Sequence, residues 1–167
     1  LDFDVIRANP KIFVGFSDIT GFHASIAQKC GLVTFHGPML TTFGRQTVPY
    51  NLEVFQRVLS GDDGVSIQST PGCPARVLRP GVARGPLAGG NLSLVEERLG
   101  TPGQVDTRGV VLLLEEIDER LHAFDRMMLH LKESGSLEGI TGLLLGEMLE
   151  MKDTEEPFGK TAEKIVM

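Results

Sequence analysis

The stretch from residue 11 to residue 35 constrains the fold of this chain more than any other feature. Residues 11–15 follow a proline and are rich in β-forming side chains, which predicts a short buried strand. Residues 19–30 carry apolar side chains at helical spacing and stop at Gly31, which predicts a helix. Residues 33–35 predict a second strand. This order of strand, helix and strand indicates a parallel sheet, and therefore an α/β fold.

The same alternation returns in the second half of the chain. A helix predicted at 51–59, with Asn51 as its expected N-cap, ends the first unit. Residues 61–80 are polar and rich in glycine and proline, so we interpret them as an inter-domain connection with a short strand at 65–68. We therefore expect the end of an N-terminal α/β domain, a connection and the start of a C-terminal α/β domain at 1–60, 61–80 and 81–167.

Within the second unit, the pattern predicts a glycine-rich tight loop, two helices and two buried strands. The loop could approach a ligand with bare backbone, or it could be a helix-entry turn with Asn91 as N-cap, which the pattern favours. The first strand is entirely aliphatic, which is typical of a sheet covered on both faces. The expected elements are the loop at 85–91, helices at 92–99 and 124–134, and strands at 110–114 and 140–145.

Charge and cysteine content exclude several classes of function. The chain has 16 Lys and Arg against 22 Asp and Glu, a net charge of −6. Without a basic patch, neither nucleic acid nor a membrane is an expected partner. The longest aliphatic run, 110–114, is far shorter than the roughly 20 residues that span a bilayer. Cys30 and Cys73 lie far apart and outside any metal-binding spacing, so we expect a cytoplasmic protein without a disulfide or zinc framework.

Ser17 lies where the first predicted strand meets the first predicted helix. A nucleophile elbow places a serine there, because the sharp turn lifts its hydroxyl above the sheet beside free helical N–H groups. The alternative is that Ser17 or Asp18 only caps the helix, and from the pattern alone capping is favoured. The fifth position of the elbow pattern is Ile19 instead of glycine. A nucleophilic Ser17 would lie on a strand-to-helix turn with strained backbone.

Glu115 directly follows the aliphatic strand 110–114, at the sheet edge where ligands bind in open α/β folds. A carboxylate held there can orient a catalytic histidine. Strand alternation sends Glu116 to the opposite side, and Glu119 lies further along the next loop. The alternative is a solvated acidic loop, which the pattern alone favours because Glu116, Asp118 and Glu119 cluster there.

The four histidines differ in how site-like their surroundings are. His36 lies in a Gly-Pro loop and is the most site-like of them, and His122 is a further candidate base. His23 falls inside the first predicted helix. His130 falls on an apolar helix, which favours a packing or surface role. No spacing of histidine and cysteine supports a metal site.

Taken together, these segments resemble the LD-carboxypeptidase family of serine peptidases, which includes murein tetrapeptide carboxypeptidases and microcin immunity peptidases. The matching segments occur in the family's order and spacing over residues 1–150. Five ordered motifs are far more specific than one, and they reverse the preference for capping at Ser17 and for a solvated loop at Glu115. The matching stretches are NPKIFVGFSDIT, GLVTFHGPM, GPLAGGNLSLV, LGTP, and LLLEEIDE with FDRMMLHL.

The resemblance implies a role for each matching position. Ser17 would be the nucleophile, Glu115 the triad carboxylate, and the backbone N–H of Asp18 one half of the oxyanion hole. The HGPM and GGNL loops would lie beside the site, which the family places between its two α/β domains. The residues implied in substrate binding are His36, Gly37, Gly89, Gly90 and Asn91.

The implied reaction is hydrolysis of an L,D-peptide bond, which releases D-alanine from a cytoplasmic murein tetrapeptide during peptidoglycan recycling. We expect this small peptide as the partner, and a homodimer is left open. Two rivals remain: the related immunity peptidases, which cleave a peptidyl-nucleotide toxin, and a non-catalytic binding module of the same fold. Intact Ser17 and Glu115 argue against the binding module.

The chain departs from the family's pattern in three places. The family's RGGYG motif, which supplies the second oxyanion donor, would precede Leu1, and the triad histidine would follow Met167. We therefore expect an internal fragment of a longer protein, without peptidase activity by itself. Leu121 and His122 stand where the family often has a proline and an aromatic residue, which leaves the substrate pocket open.

Overall fold

The computed structural model describes residues 1–43, 48–69 and 74–167. Its first half contains a two-stranded parallel sheet in which Val14 lies opposite Phe35 and Gly15 opposite His36. The predicted strand–helix–strand unit is confirmed, although each strand is only two residues long. Its elements are helix α1 (Phe3–Ala8), strand β1 (Val14–Gly15), a 3₁₀ turn (Ser17–Ile19), helix α2 (Thr20–Cys30), strand β2 (Phe35–His36) and a second 3₁₀ turn (Leu40–Thr42).

A three-stranded parallel sheet lies in the second half of the chain. Strand β3 (Leu87–Asn91) and strand β5 (Gly142–Leu149) flank the central strand β4 (Val111–Ile117). Helices alternate with these strands, which confirms the α/β class. They are α3 (Pro49–Leu59), α4 (Leu92–Glu96), α5 (Leu121–Glu133) and α6 (Ala162–Val166). None of the helices in the described ranges is long and apolar enough to cross a lipid bilayer.

The hydrophobic core lies between β4 and the helices α4 and α5. Leu112 and Leu114 point from β4 to the same side and are fully buried. On α5, Phe124 and Leu131 are seven residues apart, which places them on one helix face, and both are fully buried. This packing holds β4 in place and therefore fixes the acidic residues at its carboxyl end.

The predicted tight loop at 85–91 is wrong, because most of it is strand β3. Gly89 and Gly90 have φ of 115° and 138°, a region that L side chains rarely adopt. A Cβ at Gly89 would lie 2.0 Å from Leu113 O, and one at Gly90 would lie 2.5 Å from Thr20 Oγ1. These glycines therefore allow β3 to pack closely against its neighbours.

Two expectations for the helix before the connection and for the connection itself are also wrong. Helix α3 begins at Pro49 with Val48 as its N-cap, three residues before the expected cap Asn51. Proline suits the first helical position because its φ is fixed near the helical value. Residues 65–68 form no strand, and the N–H of Gln68 donates instead to the Tyr50 hydroxyl (2.7 Å). Cys73 lies outside the described residues.

Candidate active site

Ser17 lies on the turn between β1 and α2, with φ of 59°. This left-handed conformation is strained for a residue with a side chain, so the expected strained strand-to-helix turn is confirmed. The turn is tight because the Ile19 side chain packs on Gly15, where an added Cβ would meet it at 2.6 Å. The capping interpretation is wrong: Phe16 and Ile19 hold the two N-cap positions, and neither makes a side-chain cap bond.

The carbonyl before this turn is held from two sides. Gly15 O accepts hydrogen bonds from the N–H of Gly37 (3.1 Å) and from Nε2 of His23 (2.9 Å). His23 is buried, and its Nδ1 has no hydrogen-bond partner among the described residues. Sequence reasoning placed His23 only inside a helix and missed this contact. The helical pattern carried no signal for it, because the contact joins α2 to strand β1.

His36 lies in β2, directly beside Gly15, and its ring centroid is 6.1 Å from that of His23. Part of its surface faces solvent, but burial lowers the pKa of His36, and the nearby His23 lowers it further. Both effects favour the neutral form of His36. The structure brings His36 and Gly37 to the Ser17 turn, which is where a substrate-binding role would need them.

Asn91 ends β3 and is the N-cap of α4, since its Oδ1 accepts from the N–H of Leu94 (3.2 Å). The helix-entry interpretation of this residue is confirmed. Its backbone N–H donates to Thr20 Oγ1 (3.0 Å), which ties the end of β3 to the start of α2. Gly89, Gly90 and Asn91 thus have packing and capping functions, and their role in substrate binding stays a prediction.

Glu115 and Glu116 both lie within β4, so the solvated-loop interpretation is wrong. Burial alternates along β4, so the two side chains point to opposite faces: Glu115 is half-buried, while Glu116 is only 4 % exposed. Asn91 of β3 is in register with Glu115. The pairing with β5 shifts at this point. Leu114 pairs with Leu145 and Glu116 with Met148, so two residues of β5 stand opposite Glu115 alone.

This irregularity is a β-bulge, and bulges often re-aim side chains beside active sites. The first of the two β5 residues opposite Glu115 is Gly146, where a Cβ would lie 3.0 Å from Glu115 Cβ. A larger residue would crowd the carboxylate. Sequence reasoning missed Gly146 because nothing in the strand pattern shows which residue it faces.

Burial raises the pKa of Glu115, and the charge of Glu116 raises it further, while the Asn91 amide opposes both effects. Glu115 Oε1 is buried, with no hydrogen-bond partner among the described residues. The carboxylate is therefore held ready for a donor, and a histidine N–H is the donor that a catalytic triad would supply.

A pH-dependent stability follows from the raised pKa of Glu115. Ionising Glu115 costs more in the folded chain than in the unfolded chain, so its contribution to folding is present at acidic pH and is lost as pH rises through the folded pKa. We expect Glu115→Gln to raise the Tm of the chain of residues 1–167, in which none of the described histidines meets the carboxylate, by about 1–3 °C at pH 7. The difference should disappear as pH falls below the ordinary range of a glutamate.

Thermal unfolding followed by circular dichroism from pH 4 to pH 8 checks this prediction. Glu53→Gln is the matched control, because Glu53 is exposed on helix α3, far along the chain from Glu115. That variant should unfold like the wild type throughout. A Glu115→Gln variant that unfolds at or below the wild-type temperature at pH 7 would contradict the prediction.

The remaining candidates lie at the surface of the structure. His122 lies half-buried in the first turn of α5, which follows the carboxyl end of β4, and His130 pairs with Glu96 on an exposed face. The surface interpretation of His130 is confirmed. Asp118 pairs with Lys152 in a similarly exposed position. Within the described ranges, no three His, Cys, Asp or Glu side chains group closely enough to hold a metal ion.

Ser17 and Glu115 lie at the carboxyl ends of the two parallel sheets. The 3₁₀ turn that carries Ser17 contacts β3, and β3 is paired with β4, which carries Glu115. This is the edge where ligands bind in open α/β sheets. The arrangement offers a hydroxyl nucleophile, helical N–H groups for an oxyanion and a partly buried carboxylate, which together suit acyl transfer.

Comparison with known proteins relates the chain to a family of peptidases. Residues 1–37 match the model of the LD-carboxypeptidase N-terminal domain, and residues 84–167 match that of the LD-carboxypeptidase C-terminal domain. A probable murein peptide carboxypeptidase of Bacillus subtilis (strain 168) is 44% identical over 147 residues, which cover 87% of this chain and 46% of that protein. The microcin C7 self-immunity protein MccF of Escherichia coli is 28% identical over 174 residues, which cover 88% and 51%.

A solved structure extends the likeness to three dimensions. The crystal structure of muramoyltetrapeptide carboxypeptidase from Oxalobacter formigenes superposes with a TM-score of 0.82 at 32% identity, covering 99% of this chain and 56% of that one. The chain spans about half the length of the curated relatives it matches. Since one family model or the other matches most of its residues, the chain belongs to the LD-carboxypeptidase family.

Proposed function

We propose that the whole protein is a serine-type carboxypeptidase that hydrolyses an L,D-peptide bond and releases D-alanine from a murein tetrapeptide. The peptide would be one recycled in the cytoplasm, and no metal or cofactor takes part. The observation that carries the proposal is the strained backbone of Ser17 on a strand-to-helix turn, at the sheet edge that also carries Glu115. Strained backbone of this kind clusters at active sites, where the surrounding structure holds it in place.

The mechanism we infer is acyl transfer. Ser17 Oγ attacks the carbonyl carbon of the L,D bond while a histidine takes its proton, and the family resemblance expects that histidine outside residues 1–167. The N–H of Asp18, at the start of the helical turn, faces the developing oxyanion because the first N–H groups of a helix lack partners within it. D-alanine leaves with the proton, and water then releases the remaining tripeptide from Ser17.

In this mechanism Glu115 orients the histidine and stabilises its charged form. Its free, buried Oε1 supports this role. We further propose that residues 1–60 and 81–167 belong to two separate domains, so that Ser17 and Glu115 act across their junction. His36, Gly37 and the end of β3 would contact the peptide from either side.

Release of free D-alanine from a murein tetrapeptide by the whole protein tests the proposal. The corresponding tripeptide is the control substrate, since it lacks the terminal D-alanine and should give no product. We expect turnover in the ordinary enzymatic range of about 1–10³ s⁻¹. A correctly folded whole protein that releases no D-alanine would overturn this assignment.

The similarity to MccF supports a second candidate, an immunity peptidase that cleaves a peptidyl-nucleotide. Both candidates use the same nucleophile turn, so the substrate alone separates them. The deciding measurement is kcat/KM for a murein tetrapeptide and for a peptidyl-nucleotide under the same conditions. A preference for the nucleotide of about 100-fold or more, equal to about 2.7 kcal/mol of transition-state binding, would favour the immunity function.

A further inference from the structure

Two buried residues connect the nucleophile turn to the second sheet. Thr20 begins α2, three residues after Ser17, and is only 1 % exposed. Its Oγ1 accepts the backbone N–H of Asn91 at a distance of 3.0 Å. Gly90 allows this close approach, because a side chain there would collide with Thr20. A buried hydrogen bond beside the nucleophile therefore ties α2 to β3.

The connection continues from Asn91 to Glu116. Asn91 Nδ2 donates to Glu116 Oε1 (2.9 Å), and the N–H of Ile117 donates to the same oxygen (2.9 Å). Glu116 Oε2 accepts from both the N–H (2.9 Å) and the hydroxyl (2.6 Å) of Ser93. One buried carboxylate thus binds donors from β3, α4 and β4 together. Groups buried in this way fix geometry because no donor can move without losing its partner.

The Ser17 turn needs such support. A non-glycine residue with a left-handed backbone persists only where the surrounding structure holds it. Neither the 3₁₀ turn nor α2 has a side-chain cap at its N-terminus. The bond from the Asn91 N–H to Thr20 holds the start of α2 in place instead, and it links α2 to the same strand pair that carries Glu115.

We propose that Thr20, Asn91 and Glu116 are positioning residues for the hydrolysis, which hold the Ser17 turn at a fixed place against β4. None of them touches the reacting atoms; they act through Ser17 and Glu115. The inference rests on the proposed hydrolase function and adds the reason why two carboxylates follow one another in β4. Glu115 faces the histidine, whereas Glu116 holds the framework together.

Thr20 is the best place to break the chain of contacts, because replacing Glu116 would disturb three elements together. Thr20→Val keeps the shape of the side chain and removes the acceptor for Asn91, and Thr20→Ser keeps the acceptor. In the whole protein we expect Thr20→Val to lower kcat about 10–100-fold with KM within about threefold, as a small misplacement of reacting groups does. Thr20→Ser should recover most of this loss.

Labelling of Ser17 by a fluorophosphonate gives a second measurement that needs no peptide binding. Its rate should fall in Thr20→Val by the same factor as kcat. Thr141→Val is the matched control, since it removes a similar bond, from Thr141 Oγ1 to Val110 O (2.9 Å), at the opposite end of the sheet. That variant should lower the Tm without changing kcat or the labelling rate.

The outcomes separate this inference from the function on which it rests. A wild-type protein that neither releases D-alanine nor reacts with the fluorophosphonate overturns the proposed function itself. A reactive wild type with normal kcat and labelling in Thr20→Val overturns only the positioning role. Equal losses in Thr20→Val and Thr20→Ser also overturn it, because the hydroxyl would then not matter.

Discussion

Replacing Ser17 with alanine in the whole protein is expected to lower kcat for D-alanine release at least about 10⁴-fold. The substitution removes the attacking oxygen and leaves the turn intact, because alanine and serine tolerate the φ of 59° about equally. The Tm should therefore stay close to that of the wild type. A discontinuous assay for free D-alanine under saturating tetrapeptide, with unfolding followed by circular dichroism, measures both quantities.

Ser25→Ala is the matched control for this experiment. Ser25 lies on α2 and donates its hydroxyl to Gly21 O (2.8 Å), so the variant loses a serine hydroxyl from the same helix without touching the turn. Its kcat should stay within about threefold of the wild type. If Ser17→Ala retained substantial activity, or if a fluorophosphonate attached to a residue other than Ser17, the nucleophile would be elsewhere.

Glu115→Gln is expected to lower kcat about 10³–10⁴-fold while the fold is retained. The amide keeps the size of the side chain but cannot stabilise the charged histidine, and it no longer selects the required tautomer. KM should change much less than kcat, since Glu115 is not proposed to bind the peptide. Steady-state kinetics on the tetrapeptide measures both constants.

Comparison with the neighbouring acids makes this assignment specific. Glu119→Gln should stay near the wild-type rate, because Glu119 lies beyond the end of β4. Glu116→Gln should be milder than Glu115→Gln in kcat, and it should lose more stability because Glu116 is the buried residue with four donors. An inactive Glu116 or Glu119 variant beside a fully active Glu115→Gln would refute the assignment.

Sequence reasoning predicted the elements whose signals are local. The helical spacing up to Gly31 located α2, and the apolar positions Phe124 and Leu131 located α5, because burial of one helix face leaves a periodic pattern. The turn at Ser17 was predictable for the same reason, since a strand pattern meets a helix pattern there. The choice of nucleophile over cap came only from the ordered family motifs.

The features that sequence reasoning missed depend on contacts between distant residues. Gly89 and Gly90 suggested a loop, and only their packing on Leu113 and Thr20 shows why a strand needs glycine there. The burial of Glu116 was hidden in the same way, because a charged residue in an acidic cluster usually faces water. Its donors come from β3 and α4, which no pattern within β4 can reveal.

The backbone at Ser17 also bears on what selection has preserved. A φ of 59° favours glycine, which would relieve strain of about 1 kcal/mol or more. A descendant that used this fold only to bind a partner would gain stability from glycine at position 17, and mutation would have an easy route to it. The serine that stands there is the less stable choice, and the reactivity of its hydroxyl is what would keep it in place.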